Sequence, residues 1–180
     1  MTLKQLADKI KVCEKCRLWK NRINAVPGEG NSRAKIMFIG EGPGRREDET
    51  GRPFMGMAGV FLDQLFKRYK IKRKDVFITS AVKCRPPENR NPRPDEVNVC
   101  AKAYLYKQIK AVKPKIIVLL GNISLKALLN KRKVSELHGK IFIKRKIKYI
   151  PTFHPAVGMR FPRLRKLMME DFKKIKELLK

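Results

Sequence analysis

KIMFIGEGPG, residues 35–44, decides the fold. A short continuous apolar run closed by glycine reads as a strand buried on both faces. Such strands belong to sheets that carry helices on each side. Working outward, DVFITSAV (75–82) and KIIVLLG (115–121) repeat the pattern, and GKIFIKRKIKYIPT (139–152) reads as two short strands around a basic turn. Helical spacing fills the intervals. Residues 2–12 repeat Leu3, Leu6, Ala7 and Ile10; residues 59–69 offer Val60, Leu62, Leu65, Phe66 and Tyr69 as core candidates. Residues 95–112 open with Asp95 and Glu96, which suit the positive end of a helix. Residues 123–129 form another helix, and 162–180 line up Leu164, Leu167, Met168, Phe172, Ile175, Leu178 and Leu179. Strands that alternate with helices imply a mostly parallel sheet. The expectation is an α/β fold: one domain over residues 1–180, a three-layer sandwich around a roughly four-stranded sheet. Ligands in such folds bind beyond the carboxyl ends of the strands. That places residues 40–56, 80–90 and 151–160 around one site.

The 180 residues are 43% hydrophobic and 33% charged, the composition of a chain that folds and buries its own core. Lys and Arg number 44 against 16 Asp and Glu, a formal net charge of +28. Charges of one sign at this density repel one another, so a polyanion is the natural partner. A Lys-rich solvated surface of a heat-adapted protein is the competing reading and is compatible with it. The few glutamines, Gln5, Gln64 and Gln108, are consistent with such adaptation. No window reaches the ~18 uncharged apolar residues of a membrane span. The N-terminal MTLKQLADKIKVCEKC is amphipathic and lacks a signal-peptide core. The expected protein is a cytoplasmic monomer whose thiols stay reduced.

Cys13 and Cys16 form a C-x2-C pair, followed by the widely spaced Cys84 and Cys100. Two sulfurs in one turn can reach a common centre, so the pattern points to a metal. Zinc ribbons usually repeat the short spacing, while an iron–sulfur cluster tolerates irregular spacing. Spacing alone leaves cluster, zinc and unligated thiols open.

The glycine segment after the first strand is no phosphate cradle. It lacks the lysine of a P-loop, and GEGPGR does not match G-x-G-x-x-G. It carries Glu41, Glu47, Asp48 and Glu49 instead. Carboxylates belong where positive charge develops, as on the sugar when a glycosidic bond breaks. The departing group then needs a hydrogen-bond donor, and His154, between Phe153 and Pro155, is the candidate. His138, before an expected turn at Gly139, reads as structural. Phe54 offers a stacking surface for a splayed-out base or a core side chain.

The motifs G-E-G-P-G-x-x-E-D…G-R-P-F, V-K-C-R-P-P-x-N-R-x-P and H-P, with four cysteines in this order, closely resemble the family 4 uracil-DNA glycosylases from Cys13 to about Arg160. The resemblance implies hydrolysis of the N-glycosidic bond of uracil in DNA, which leaves an abasic site and starts base-excision repair. It implies a [4Fe-4S] cluster on Cys13, Cys16, Cys84 and Cys100. It implies Glu41 as the residue that positions water or stabilises the sugar cation, and His154 as support for the uracil O2 anion. Gly40 and Gly42 would approach the base, Phe54 would stack on it, and Glu47 would crowd its C5 edge. One departure stands out. The family commonly has T-N-V-V-K-C, whereas this chain has Thr79-Ser80-Ala81-Val82-Lys83-Cys84. One hydroxyl cannot make the two-pronged contact of an asparagine, so water, Asn89, or relaxed selectivity must compensate.

Val157 and Met159 beside Arg160, with Arg163, Arg165 and Lys166 following, have the composition of an apolar wedge flanked by phosphate contacts. Core packing is the alternative for Met159. Lys144, Arg145, Lys146 and Lys148 read as backbone contacts or as a charged turn. A non-catalytic nucleic-acid-binding module with a structural metal would show the same charge and cysteines, yet gives no reason for Glu41 and His154 to share a cleft.

Overall fold

The structure, a computed structural model, describes residues 1–179; the last residue of the expected terminal helix, Lys180, lies outside the described residues. Six strands form one sheet: β1 (Glu29–Gly30), β2 (Ile36–Gly40), β3 (Phe77–Ser80), β4 (Ile116–Leu120), β5 (Phe142–Lys144) and β6 (Ile147–Thr152). Their order is β1-β3-β2-β4-β6-β5. The inner four are parallel, and β1 and β5 are short antiparallel edges. The expected four strands are therefore the parallel core. β5 and β6 are the two short strands expected over 139–152, and only β1 escaped, because its two residues, Glu29 and Gly30, are too few to show a period.

Every residue of β2, β3 and β4 is buried, as required of strands covered on both faces. The helices are α1 (Leu3–Lys11), α2 (Arg45–Thr50), α3 (Met57–Arg68), α4 (Pro94–Cys100), α5 (Tyr106–Val112), α6 (Asn122–Leu129), α7 (Val134–Leu137), α8 (Pro155–Arg160) and α9 (Pro162–Glu177). A π-helical turn, Ala101–Leu105, joins α4 to α5, so the expected helix over 95–112 is continuous but widened just after Cys100. On one face of the sheet Phe66 of α3 meets the Phe38 ring edge-on at 4.8 Å, and Phe172 of α9 stacks on it at 5.9 Å. Leu62, Met168 and Ile175 complete this packing. Val60, an expected core residue, is half exposed. Spaced as i and i+3 or i+4, Met57, Val60 and Gln64 share the side of α3 that faces away from the sheet.

Two local features were not legible. Residues 45–50 are helical (α2), because Gly44 caps the helix and Glu47 reaches back to its N–H. Residues 155–160, to which no element was assigned, form α8, which starts at Pro155, a residue suited to the first turn.

The chain runs from β2 outward to β3, then crosses back to β4 on the other side. The strand order thus reverses at β2, and a crevice opens beyond the carboxyl ends of β2 and β4. The register levels those ends, with Gly40 opposite Ser80 and Leu120 opposite Thr152. The residues that follow, Glu41, Gly121 and His154, consequently emerge together.

Candidate active site

A cavity of about 330 Å³ opens at this crevice, lined by Glu41, Gly42, Glu47, Phe54, Ser80, Asn89 and His154. Segments more than a hundred residues apart in sequence meet there. Gly40 is not on the wall. It backs Phe54: a β-carbon at Gly40 would lie 2.8 Å from the ring Cζ, so only glycine leaves room for the ring. Gly42 likewise presses on Val82, 2.7 Å from where its β-carbon would stand.

Phe54 is fixed in an unusual pose. Its φ is +54°, a left-handed backbone that a bulky residue rarely adopts. The surroundings impose it. Glu47 Oε1 accepts from Met55 N (2.7 Å) and Gly56 N (2.9 Å), while Oε2 accepts from Gly44 N (3.0 Å). Gly59 packs beneath the Phe54 carbonyl, where no side chain fits. The ring stands parallel to His154, centroids 5.9 Å apart and planes inclined by 28°. Both oxygens of Glu47 are thus committed to holding the loop that presents Phe54.

Glu41 points across the crevice to the start of α6, where its Oε1 accepts from Ile123 N at 3.1 Å. The exposed N–H groups of a helix start stabilise a carboxylate there. Gly121, with φ +98°, lets β4 turn tightly beside that carboxylate. His154 caps α8, and its Nδ1 accepts from Ala156 N at 3.3 Å. An accepting Nδ1 leaves the proton of the neutral ring on Nε2. Burial pushes the His154 imidazole below its ordinary pKa, while the Glu41 and Glu47 carboxylates pull the other way. His154 is therefore a neutral donor at neutral pH.

Ser80 ends β3 and is buried against the cavity. Asn89 sits in a left-handed turn, φ +56°, with its Oδ1 accepting from Arg85 Nε at 2.8 Å. Arg90, also on the wall, was missed in the sequence. It is clamped by Glu96 at 2.7 and 2.9 Å, and its guanidinium holds the Glu96 carboxyl below the usual range. The pairing of an arginine with an acid six residues on was the available signal. His138 is structural as expected: its Nδ1 lies 3.0 Å from the buried Asp171, which also accepts from Thr152 Oγ1 at 2.6 Å.

The basic residues divide. Arg160 and Arg163 are exposed on α8 and α9, close in sequence to His154. Met159 is half-buried against the main core and also lines a shallow groove with Met57, Val60 and Phe61. Lys144 and Arg145 are exposed too, but they precede β6, whose other end leads to His154. They lie at the opposite end of the sheet from the cavity. The topology does not bring these two to the site, because a hairpin turn and the strand's carboxyl end are separated by the strand itself.

Cys13, Cys16, Cys84 and Cys100 line a second, small cavity together with Lys83 and Tyr104. It draws together the end of α1, the loop after β3 and the end of α4. Among the described residues, no group of three or more His, Cys, Asp or Glu stands at the spacing of a single-ion site. The donor set itself fits a thiolate-ligated centre. Arg22 Nη1 donates to Cys84 Sγ at 3.2 Å, and Lys15 N lies 3.5 Å from Cys13 Sγ. Burial pushes the Cys16 and Cys84 thiols up and Cys100 to about 12, so as free thiols they stay protonated. Donors aimed at sulfur are of most use when the sulfur is anionic, as in a metal centre.

Among the described residues, no helix is long and apolar enough to cross a membrane. The Uracil DNA glycosylase superfamily model matches residues 27–180. The Type-4 uracil-DNA glycosylase of Saccharolobus solfataricus is 47% identical over 97% of this chain and 85% of its own length. The enzyme of the same name from Archaeoglobus fulgidus is 41% identical over 98% and 93%. That from Thermotoga maritima is 43% identical over 97% and 93%.

Proposed function

The chain belongs to the Uracil DNA glycosylase superfamily, and from that membership we propose that it is a monofunctional uracil-DNA glycosylase, one domain over residues 1–180. It hydrolyses the N-glycosidic bond of uracil in DNA, releases the free base and leaves an abasic site. The observation that carries the reading is the meeting of Glu41, Phe54 and His154 in one cavity at the sheet's switch point.

The basic shell holds the phosphates, and the uracil nucleotide turns out of the stack into the cavity. Phe54 stacks on the base, with its pose set by Glu47. His154 Nε2–H donates to the uracil carbonyl oxygen on which negative charge grows as the bond breaks. A neutral imidazole suits this task, since it stabilises the anion without first needing a proton from solvent. Glu41 faces the sugar, where its carboxylate stabilises the oxocarbenium character and orients the water that adds to the anomeric carbon. The water's proton leaves through Glu41 to solvent. Ser80 and Asn89 stand where the base edge would be read. Arg160 and Arg163, with Met159 between strand and core, would meet the DNA beside the cavity mouth. Lys144 and Arg145 are left as a solvated turn.

Cys13, Cys16, Cys84 and Cys100 would hold a [4Fe-4S] cluster. When bound, it cross-links α1 to the loop after β3 and to α4, which borders the cavity through Arg90 and Glu96. The protein would act as a monomer on DNA in the cytoplasm.

Incubating the protein with a uracil-containing oligonucleotide and then with alkali tests this. Strand scission at the uracil is expected, and Glu41→Ala and His154→Ala should each slow it while DNA affinity and its salt dependence hold. Tight binding with uncut DNA would favour the non-catalytic module.

A further inference from the structure

Phe54 is kept out of its ordinary backbone conformation, and Glu47 accounts for one side of the hold. A left-handed φ of +54° is costly for an aromatic residue and persists only where the surroundings impose it. Two peptide planes set the pose. Glu47 fastens the chain that follows Phe54, through Met55 N and Gly56 N. The plane that precedes it, Pro53–Phe54, turns with φ itself, and its carbonyl accepts from Arg73 Nη2 at 2.7 Å. Arg73 lies in the turn that leads into β3 and is absent from the cavity wall.

Arg73 is itself fixed on two further sides. Its Nη1 donates to Asp63 of α3 at 2.8 Å. Nη2 and Nε donate to Glu29 Oε1 of the edge strand β1, at 3.0 and 3.3 Å. Glu29 Oε2 in turn accepts at 2.8 Å from Nε of Arg52, the residue before Pro53. Burial opposes the Glu29 charge, yet the Arg52 and Arg73 guanidiniums hold its carboxyl below the usual range, so it is an anion at neutral pH. One planar guanidinium thus joins β1, α3 and the carbonyl before Phe54. A lysine ammonium has no such fork. Pinning the two-residue edge strand needs Glu29 alone; the bond to the Pro53 carbonyl serves Phe54. We propose that Arg73 is the positioning residue of the stacking ring: oriented by Glu29 and Asp63, it locks the Pro53–Phe54 peptide and keeps Phe54 beside His154 before any base arrives. A ring fixed beforehand loses little freedom when a base stacks on it. The inference rests on the reading of Phe54 as the stacking surface and adds to it a residue outside the cavity.

Arg73→Met keeps the aliphatic stem and removes every one of these bonds. The full-length protein is assayed in single turnover on a uracil-containing oligonucleotide, with Arg73→Met alone and combined with Phe54→Ala. The saturating rate should fall about tenfold, the lower end of what losing a base-stacking ring costs. The half-saturating protein concentration, set by the phosphates, should hold. In the Phe54→Ala background the same substitution should change the rate by less than about twofold, because both act through one ring. Hydrogen exchange supplies a readout that needs no substrate. The Met55 and Gly56 amides should exchange about tenfold faster in Arg73→Met, with those of β2 unchanged. Equal rate losses in both backgrounds, or exchange quickened alike in β2, would reduce Arg73 to a general strut, and the proposal falls. It falls equally if rate and exchange match the wild type. Should Arg73→Met not fold, Glu29→Gln decides by the same two measurements, since it leaves the arginine but removes the anion that orients it. A wild-type protein that leaves uracil in place overturns the glycosylase reading instead, a result seen before any substitution and independent of the exchange rates.

Discussion

Gly121→Ala tests whether the position of Glu41, and not merely its presence, drives the chemistry. A methyl carbon at Gly121 would stand 2.9 Å from Glu41 Cδ and 3.2 Å from Cγ, with Oε1 nearer still, whereas ordinary contact begins at 3.4 Å. The backbone cannot turn to relieve this, since φ is +98° and α6 begins at the next residue. The carboxylate must give way, by about 1 Å, and its bond from Ile123 N is lost. A displacement of about 1 Å in a reacting group costs on the order of a hundredfold in rate, equivalent to about 2.7 kcal/mol of barrier. Alanine in a left-handed position also costs stability, on the order of 1 kcal/mol, or about 2–4 °C in Tm at this chain length. Single-turnover excision of uracil from an oligonucleotide, followed by alkaline scission, reads the rate; binding to the same oligonucleotide reads affinity. The rate should fall about a hundredfold with affinity unchanged. Combined with Glu41→Ala, the substitution should add almost nothing, because both act through one group. A folded Gly121→Ala protein that cuts within about threefold of the wild type, a change below 1 kcal/mol in barrier, would refute the placement of Glu41 as the source of rate.

His154 carries a pH signature. Its folded pKa lies below the ordinary value, so the unfolded chain binds the proton first and stability falls as pH drops below about 6.5. Urea midpoints at pH 5 and pH 7.5 should differ more for the wild type than for His154→Asn; equal differences would remove the buried neutral imidazole from the account. Met159→Ala should slow excision from duplex DNA more than from single strands if the side chain parts stacked bases, and equal slowing would return Met159 to the core. Ser80→Asn should keep or raise uracil excision, since an amide offers both donor and acceptor to the base edge; a collapse of activity would contradict this.

Much of the fold was legible because its strands are extreme. Runs such as IMFI and IIVLL admit no amphipathic alternative, and their burial on both faces follows from composition alone. What stayed hidden was short or depended on distant partners. Nothing local announces that residues 45–50 coil into α2; the helix exists because Glu47 closes onto Gly44 while its other oxygen holds residues 55 and 56. The convergence of Glu41 and His154 could be expected from strand ends, but the tie from Glu41 to Ile123 needed the crossover from β3 to β4. Lys144 and Arg145 lie at the end of the sheet away from the cavity, and charge in a sequence carries no sign of which end of a sheet it occupies.

The four acids of residues 41–49 become intelligible once their partners are counted. Asp48 is buried and accepts from Ile23 N and Asn24 N, and Glu49 pairs with Arg45 and Arg46. These two fasten the segment from outside the cavity. Of the two that line it, Glu47 has both oxygens occupied by backbone N–H groups. Glu41 has one oxygen held by Ile123 N, and among the described residues no protein donor is bonded to the other. Only the carboxylate with a free oxygen can answer a cation that appears and vanishes within one turnover. The shell and the acid therefore act on different charges of one substrate: the fixed negative charge of the phosphates outside, and the transient positive charge of the sugar within.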